Sequence, residues 1–497
     1  MTPSFHKAAS LIMTQFQSSR PKDAAALTVF ALFEAVWSLA FLVLALLTPS
    51  RAENAMMLGL SPPRLALALL VLTAGVLPLI GCTVLLRRPG HPPVGLSARA
   101  RNRWLWSSLA VILAGAMILI VYGTAAGAFP TMTIGRLAPF GAWLLGSGAM
   151  LAAALLLGME SPRTRVVAGF ALMLVIGLTG ILIHTRVWPA SESGSSDIYF
   201  TYLEGQRLAR GENPYERITA SEPHENDKFA TYLPSFYYLS AAVQRLGLGH
   251  FGPWVAAWRL VFLSANLVIA LVIFQAFWRV GSGALGVFGS LLWLCNRWTL
   301  HVSMMGDIDF LPLSLLVVSA VILPDRPRVS LVLFGISVAL KHFALVLAPI
   351  WLIYAWRHAP SWRRRLGDLL LLVSIPILTS LPLFLADANA FLRSILFSWT
   401  RDPEASGGVD SLDALIGISP GTGRIFMLGL LAIVFVAVGR KRLGLFVASM
   451  LALATVISLN STFFTSYMVW LMPFLPLVAL EALQKGAAPP GSKVPGT

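Results

Sequence analysis

The sequence predicts an all-α, polytopic membrane protein of about 14 membrane segments, with both termini on the cytoplasmic side. Three observations carry this. Of the 497 residues, 57% are hydrophobic and only 12% are charged, against roughly 25% charged in a soluble domain. The apolar residues come in long runs, and the mean hydropathy is +0.76. The basic residues cluster in short segments between those runs: 22 of the 37 Lys and Arg fall on the side that the alternation assigns to the cytoplasm, as the positive-inside rule requires. This composition excludes a soluble globular domain, a disordered chain and a secreted disulfide scaffold. The net charge of +15 is scattered among loops and forms no basic surface interleaved with aromatics, which excludes a nucleic-acid partner.

A membrane-crossing helix needs about 20 apolar residues to cover roughly 30 Å of hydrocarbon. Runs of that kind occupy 25–48, 65–86, 104–126, 137–158, 166–188, 254–278, 366–386, 424–439, 443–459 and 467–482. The stretch 282–323 reads as two short segments, 282–296 and 309–323, around a polar tip from Asn296 to Asp309. The stretch 329–356 would be about 42 Å long as one helix and would bury Lys341 and His342 at mid-depth. Two half-length helices, 329–341 and 343–356, put that pair at a tip and return Arg357, Arg363, Arg364 and Arg365 to the cytoplasmic side, where topology favours them.

Residues 1–160 form a four-span N-terminal module. Residues 161–497 form a second module with two long external loops, 189–253 and 387–423. Loops of that length usually carry function. The first holds eight Asp and Glu, an enrichment that topology does not explain because acidic residues barely influence it. Its segment 234–248 has apolar residues at helical spacing and suits an interfacial amphipathic helix. Cys82 and Cys295 sit in apolar runs without metal-ligand spacing and read as ordinary core residues.

Several residues in the second module carry candidate chemistry. Asp197 directly follows the 166–188 run. It reads either as the cap of the helix it precedes or as a base meeting a lipid-borne substrate at the hydrocarbon edge. Gly211, Asn213, Pro214 and Tyr215 read as a turn, and Tyr232 stands two residues before Pro234. Lys341 and His342, two cations at one tip, suit a phosphate at that depth; Arg297, His301 and Arg259 are further candidates, or interfacial anchors beside Trp298 and Trp258. Asp307 and Asp309 form an i, i+2 carboxylate pair that admits three roles: a metal site, pairing with Arg297 or Lys341, or capping before Phe310.

The order of these features resembles the GT-C membrane glycosyltransferases, and is closest to the polyprenyl-phosphate-mannose-dependent enzymes of glycosyltransferase family 87. The residues that carry the resemblance are Asp197 after a span, the Gly211 to Tyr215 turn, Tyr232 and Pro234 entering an apolar helix, Gly335 to Lys341 before Pro349, and Thr465, Ser466 and Tyr467 followed by Trp470 and Pro473. It covers roughly 166–482. The chain departs from the family in the four spans ahead of Asp197, where one is usual. It departs again at Met305 to Asp309, which stands where a Gln/Asn-rich motif is expected.

The resemblance implies a GT-C-like fold with extracytoplasmic catalytic loops in the plasma (inner) membrane. It implies inverting transfer of a hexose, mannose by family precedent, from a polyprenyl-phosphate donor to a glycan or glycolipid acceptor. Asp197 would be the base, Lys341, His342, Arg297, His301 and Arg259 would face the donor phosphate, and Tyr199, Tyr215, Tyr232, Asp307 and Asp309 would line the substrate site. No cofactor and no metal are expected. Two other readings compete: an O-antigen ligase or polymerase, which would act without an Asp base, and a lipid-linked sugar transporter, which would ordinarily show paired repeats.

Overall fold

The computed structural model describes residues 162–188, 197–220, 230–280, 283–357, 359–400, 409–410, 419–459, 462–463 and 465–487. The expected N-terminal module and its boundary at 160 lie outside the described residues. The described chain is helical throughout, apart from one antiparallel pairing of two-residue strands that sets Val409 opposite Phe463. The helices are α1 Pro162–Val187, α2 Asp197–Ala209, α3 Arg217–Ala220, α4 Ser235–Arg245, α5 Phe251–Arg279, α6 Gly283–Cys295, α7 Arg297–Met305 and α8 Phe310–Ile322. They continue with α9 Pro327–Leu340, a 3-10 turn His342–Leu347, α10 Ala348–Trp356, α11 Trp362–Ala386, α12 Ala388–Thr400, α13 Pro420–Gly439, α14 Leu445–Ser458, a 3-10 turn Thr465–Trp470 and α15 Phe474–Ala487.

Among the described residues, four stretches are long and apolar enough to cross a membrane: Phe251–Arg279, Trp362–Ala386, Gly421–Gly439 and Ser466–Gln484. Together with shorter apolar helices such as α8, α9 and α14, they make this an all-α membrane protein. Large apolar side chains stay exposed along α11 and α13, among them Leu370, Leu378, Leu385, Ile425 and Ile433, the pattern of a surface that meets lipid rather than water.

The described residues group into two compact units. The first takes its described part from Met1–Val187 and Ile273–Arg297; the second comprises Trp188–Val272 and Trp298–Thr497. In the first unit α1 packs on α6, and the His184 ring bonds the Leu294 carbonyl at 3.0 Å. Gly286 of α6 lies against the Phe274 carbonyl, where a Cβ would come within 2.9 Å.

The second unit is organised around the helical hairpin of α8 and α9. At its closed end Ser319 and Ser330 exchange hydrogen bonds of 2.8 Å, and Trp351 of α10 donates its indole N–H to the Ser319 hydroxyl at 2.6 Å. Phe334 stacks on Trp351 with centroids 4.8 Å apart. The chain therefore turns back after α9, as the length argument expects. The turn begins at Lys341, whose extended backbone (φ −149°, ψ 111°) ends α9. Near the open end the Ser337 hydroxyl donates to the Pro312 carbonyl at 2.7 Å. Gly335 lets α9 lie directly against the Leu372 carbonyl of α11, a position where a Cβ would collide.

One expectation is corrected here. The tip between Asn296 and Asp309 is not a polar loop, because α7 occupies most of it and buries Thr299, Leu300, Val302 and Ser303. The last expected span, 467–482, coincides with the apolar stretch Ser466–Gln484; within it a 3-10 turn leads to α15, which begins at Phe474, immediately after Pro473, a residue well suited to a helix start.

The described parts of the 189–253 stretch pack on this frame. In α4, Phe236, Tyr237, Ser240, Ala241 and Gln244 are buried, and the helix packs on α2 and α9. It is thus a packed element as well as an amphipathic one. Gly205 of α2 sits directly on Ser240. Tyr215, Ile218 and Tyr237 join Leu383, Ala390, Phe391 and Phe397 in one apolar core, which seats the loop on α11 and α12.

Candidate functional site

Within the second unit, four chain segments bring polar side chains to the open end of the α8–α9 hairpin. Asp309 precedes α8 and is 1% exposed, while Lys341 follows α9 and is 7% exposed. The Lys341 ammonium donates to Asp309 Oδ1 at 2.7 Å. The indole N–H of Trp470 donates to the same oxygen at 2.6 Å. Asp309 caps nothing: although it precedes α8, no backbone N–H of that helix bonds its side chain. Of the three roles open to Asp307 and Asp309 in the sequence, pairing with Lys341 is the one Asp309 takes.

Tyr232 covers the pair. Its ring lies 5.0 Å from the Lys341 nitrogen in a cation–π arrangement. Burial, and then the charges of Asp197, Asp309 and Asp307, hold its phenol well above the usual range. The Tyr232 hydroxyl is therefore a proton donor within electrostatic reach of three carboxylates. Its backbone is fixed from both sides: the Tyr232 N–H donates to the Tyr237 hydroxyl at 3.2 Å, and its carbonyl accepts from the Tyr215 hydroxyl at 2.8 Å. Tyr215 is fully buried. Its ring packs in the apolar core and its hydroxyl holds the Tyr232 carbonyl.

Asp197 is the first residue of α2 rather than a residue before it. Its backbone carbonyl accepts the Thr201 hydroxyl at 2.8 Å. Asp307 reaches the same neighbourhood through a turn at the end of α7. Gly306 has φ +72°, the Asp307 N–H bonds the Val302 carbonyl at 3.2 Å, and the pattern is a glycine C-cap of the Schellman type. A Cβ on Gly306 would stand 3.8 Å from both Ile198 and the Arg259 guanidinium, so that turn lies between Arg259 and the residue following Asp197. Arg259 itself is buried and lies 5.6 Å from the Trp188 ring.

The remaining expected residues are distributed differently. His342 opens the 3-10 turn, and its Nδ1 is buried without a hydrogen-bond partner among the described residues. His301 is half-buried on α7. The side chain of Arg297 lies outside the described residues. Tyr199 is half-buried and packs edge-on against Phe251 at 5.0 Å, as part of an aromatic cluster with Tyr202. Among the described residues, no three of His, Cys, Asp and Glu form a metal-sized group.

The sequence reading missed two features. Phe343 and Tyr467 stack at 5.2 Å, with Trp470 5.0 Å from Phe343, which walls the Asp309–Lys341 pair with aromatic rings. Glu204 is the other. It is 1% exposed, with Arg217 at 3.4 Å and Arg207 at 3.8 Å. Burial pushes its carboxyl up to about 7 despite these two cations. Its position two helical turns after Asp197, on the same α2, is the only local sign of it.

Chemically, the arrangement offers carboxylates that can accept protons or sugar hydroxyl hydrogens, a phenol that can donate, and aromatic walls that suit a pyranose. The fold and this site define an all-α membrane protein with a buried acidic and aromatic centre. The chain matches no protein-family model, and comparison with curated proteins finds no similar sequence.

Proposed function

We propose that the protein is an inverting, GT-C-type glycosyltransferase that moves a hexose from a polyprenyl-phosphate donor to a glycan or glycolipid acceptor at the outer face of the plasma (inner) membrane. The observation that carries this reading is the buried Asp309–Lys341 pair, with the Trp470 indole on the same carboxylate oxygen and the Tyr232 ring over the ammonium, brought together from four separate chain segments. In the reaction, Asp197 accepts the proton of the acceptor hydroxyl as that oxygen attacks the anomeric carbon. The bond from that carbon to the phosphate oxygen breaks, and the lipid phosphate leaves with the electron pair. Because this leaving group is already a stable anion, one positioned carboxylate suffices, whereas a glycosidase needs two flanking the bond.

Two further features support the reading. The 13-residue α8 is about 20 Å long, short of the roughly 30 Å hydrocarbon thickness. In a 14-segment topology its open end stops at a depth that a lipid-linked sugar phosphate reaches from the outer leaflet. With Lys341 engaged by Asp309, the candidate cations that this unit keeps for the donor phosphate are Arg259 and His301.

The test uses purified protein in lipid nanodiscs with polyprenyl-phosphate mannose, glucose or arabinose, host lipid extract as acceptor, and Asp197→Asn alongside wild type. Loss of the base should lower transfer by roughly 10²–10⁴-fold, with no effect of EDTA. Transfer that survives Asp197→Asn would reduce Asp197 to the first residue of α2. The buried Lys341–Asp309 pair favours one second reading, a lipid-linked sugar carrier, since paired charges inside helical bundles often serve transport. Movement of the donor across a proteoliposome membrane without transfer would select it.

A further inference from the structure

The two oxygens of Asp309 have different surroundings. Oδ1 takes both donors, the Lys341 ammonium and the Trp470 indole. Oδ2 is buried and, among the described residues, takes no hydrogen bond. A buried carboxylate oxygen left without a donor costs free energy. The side chain cannot turn away to find another partner, because Lys341 and Trp470 hold it from two separate segments and Tyr232 closes over Lys341.

Resting on the transferase reading, we infer that Asp309 Oδ2 is the acceptor for one hydroxyl of the bound sugar. Lys341 and Trp470 act as positioning residues that fix that oxygen. Three considerations make the ligand a sugar rather than a cation or a phosphate. The Lys341 ammonium neutralises the carboxylate, so the site does not attract a cation. An acceptor-only oxygen repels phosphate. The neighbouring side chains Tyr232, Phe343 and Tyr467 are aromatic, the type that packs on the C–H side of a pyranose and not on a hydrated ion. The pair thus sets which hydroxyl must be present, and this assigns Lys341 to sugar selection instead of phosphate binding. A hydroxyl bonded to a charged buried acceptor is discriminated strongly from its deoxy counterpart, because the deoxy ligand leaves the oxygen unpaired.

The experiment is infrared difference spectroscopy and equilibrium binding in nanodiscs. The probes are polyprenyl-phosphate mannose, glucose and arabinose, together with the monodeoxy analogues of each. Wild type is compared with the double variant Asp309→Asn/Lys341→Met, which keeps the site neutral and so guards against misfolding from a lone buried charge. A carboxylate band should shift when a sugar binds wild type and should be absent in the double variant. One monodeoxy analogue should fail to move the band and bind wild type roughly 10- to 100-fold more weakly, yet bind the double variant as well as its parent does. The inference is overturned if no sugar moves an Asp309-dependent band, which would leave Oδ2 satisfied by water alone. It is equally overturned if every monodeoxy analogue affects the two proteins alike. Transfer measured on the same samples reports separately: a band shift without transfer keeps this subsite and sinks the transferase reading, while transfer without the shift does the reverse.

Discussion

Replacing Lys341 with Met removes the ammonium while keeping a side chain of similar length, so the perturbation isolates charge from packing. The nitrogen lies 2.7 Å from Asp309 Oδ1. At an effective dielectric constant of about 20, that separation corresponds to an attraction of about 6 kcal/mol. Much of it offsets the desolvation of two groups that are 7% and 1% exposed, so the pair adds little net stability compared with an apolar pair of the same shape. Removing one member alone is a different matter. Asp309 would keep only the Trp470 N–H, and the expected loss is about 3–5 kcal/mol. The double variant Lys341→Met/Asp309→Asn should recover most of that loss, because no uncompensated charge remains. Reversible unfolding in mixed detergent micelles reads all four proteins of the cycle. A Lys341→Met protein within about 0.5 kcal/mol of wild type, or a double variant no more stable than the single one, would refute the claim that the charges are buried and mutually dependent.

Two further outcomes follow from the loop and the hairpin. Glu204, with its carboxyl pushed up to about 7 from an ordinary 4.5 by burial, binds its proton more tightly folded than unfolded. Its contribution to stability is therefore greatest below about pH 4.5, declines as pH rises towards about 7, and is flat above that. The difference between the pH–melting curves of wild type and Glu204→Gln should show that slope, and parallel curves would contradict it. Gly335→Ala should destabilise by about 1–3 kcal/mol, since the new methyl group meets the Leu372 carbonyl, a backbone atom held within α11. Unfolding of this variant indistinguishable from wild type would mean that α9 and α11 move apart at no cost.

The sequence displays the helical frame because a membrane forces apolar runs of fixed length. It displays the break at Lys341 and His342 because one helix through them would be too long and too charged at its middle. What it hides is pairing across distance. Trp470 and Asp309 are 161 positions apart, and no local pattern states that an indole N–H will end on that carboxylate. The polar appearance of 296–309 concealed α7, whose buried Leu300 and Val302 supply an apolar face too short to stand out among the surrounding spans. Pro473 did mark the start of α15, but a hydropathy window averages over a single proline.

Asp309 shows why local signals leave such a residue undecided. Its backbone (φ −54°, ψ −36°) leads straight into α8, and by position alone it could cap that helix. A cap hydrogen bond contributes about 1 kcal/mol. Leaving the Lys341 ammonium buried without its partner costs about 3–5 kcal/mol. The cost of the lone ammonium outweighs the cap, so the carboxylate turns from its own helix to the end of the next one, and the N-terminal N–H groups of α8 go without it. That choice depends on α9 ending opposite α8, and α9 ends there because its chain turns at Lys341. The same turn that makes the hairpin therefore makes the ion pair, and the ion pair leaves Asp309 Oδ2 as the acceptor on which sugar recognition is proposed to rest.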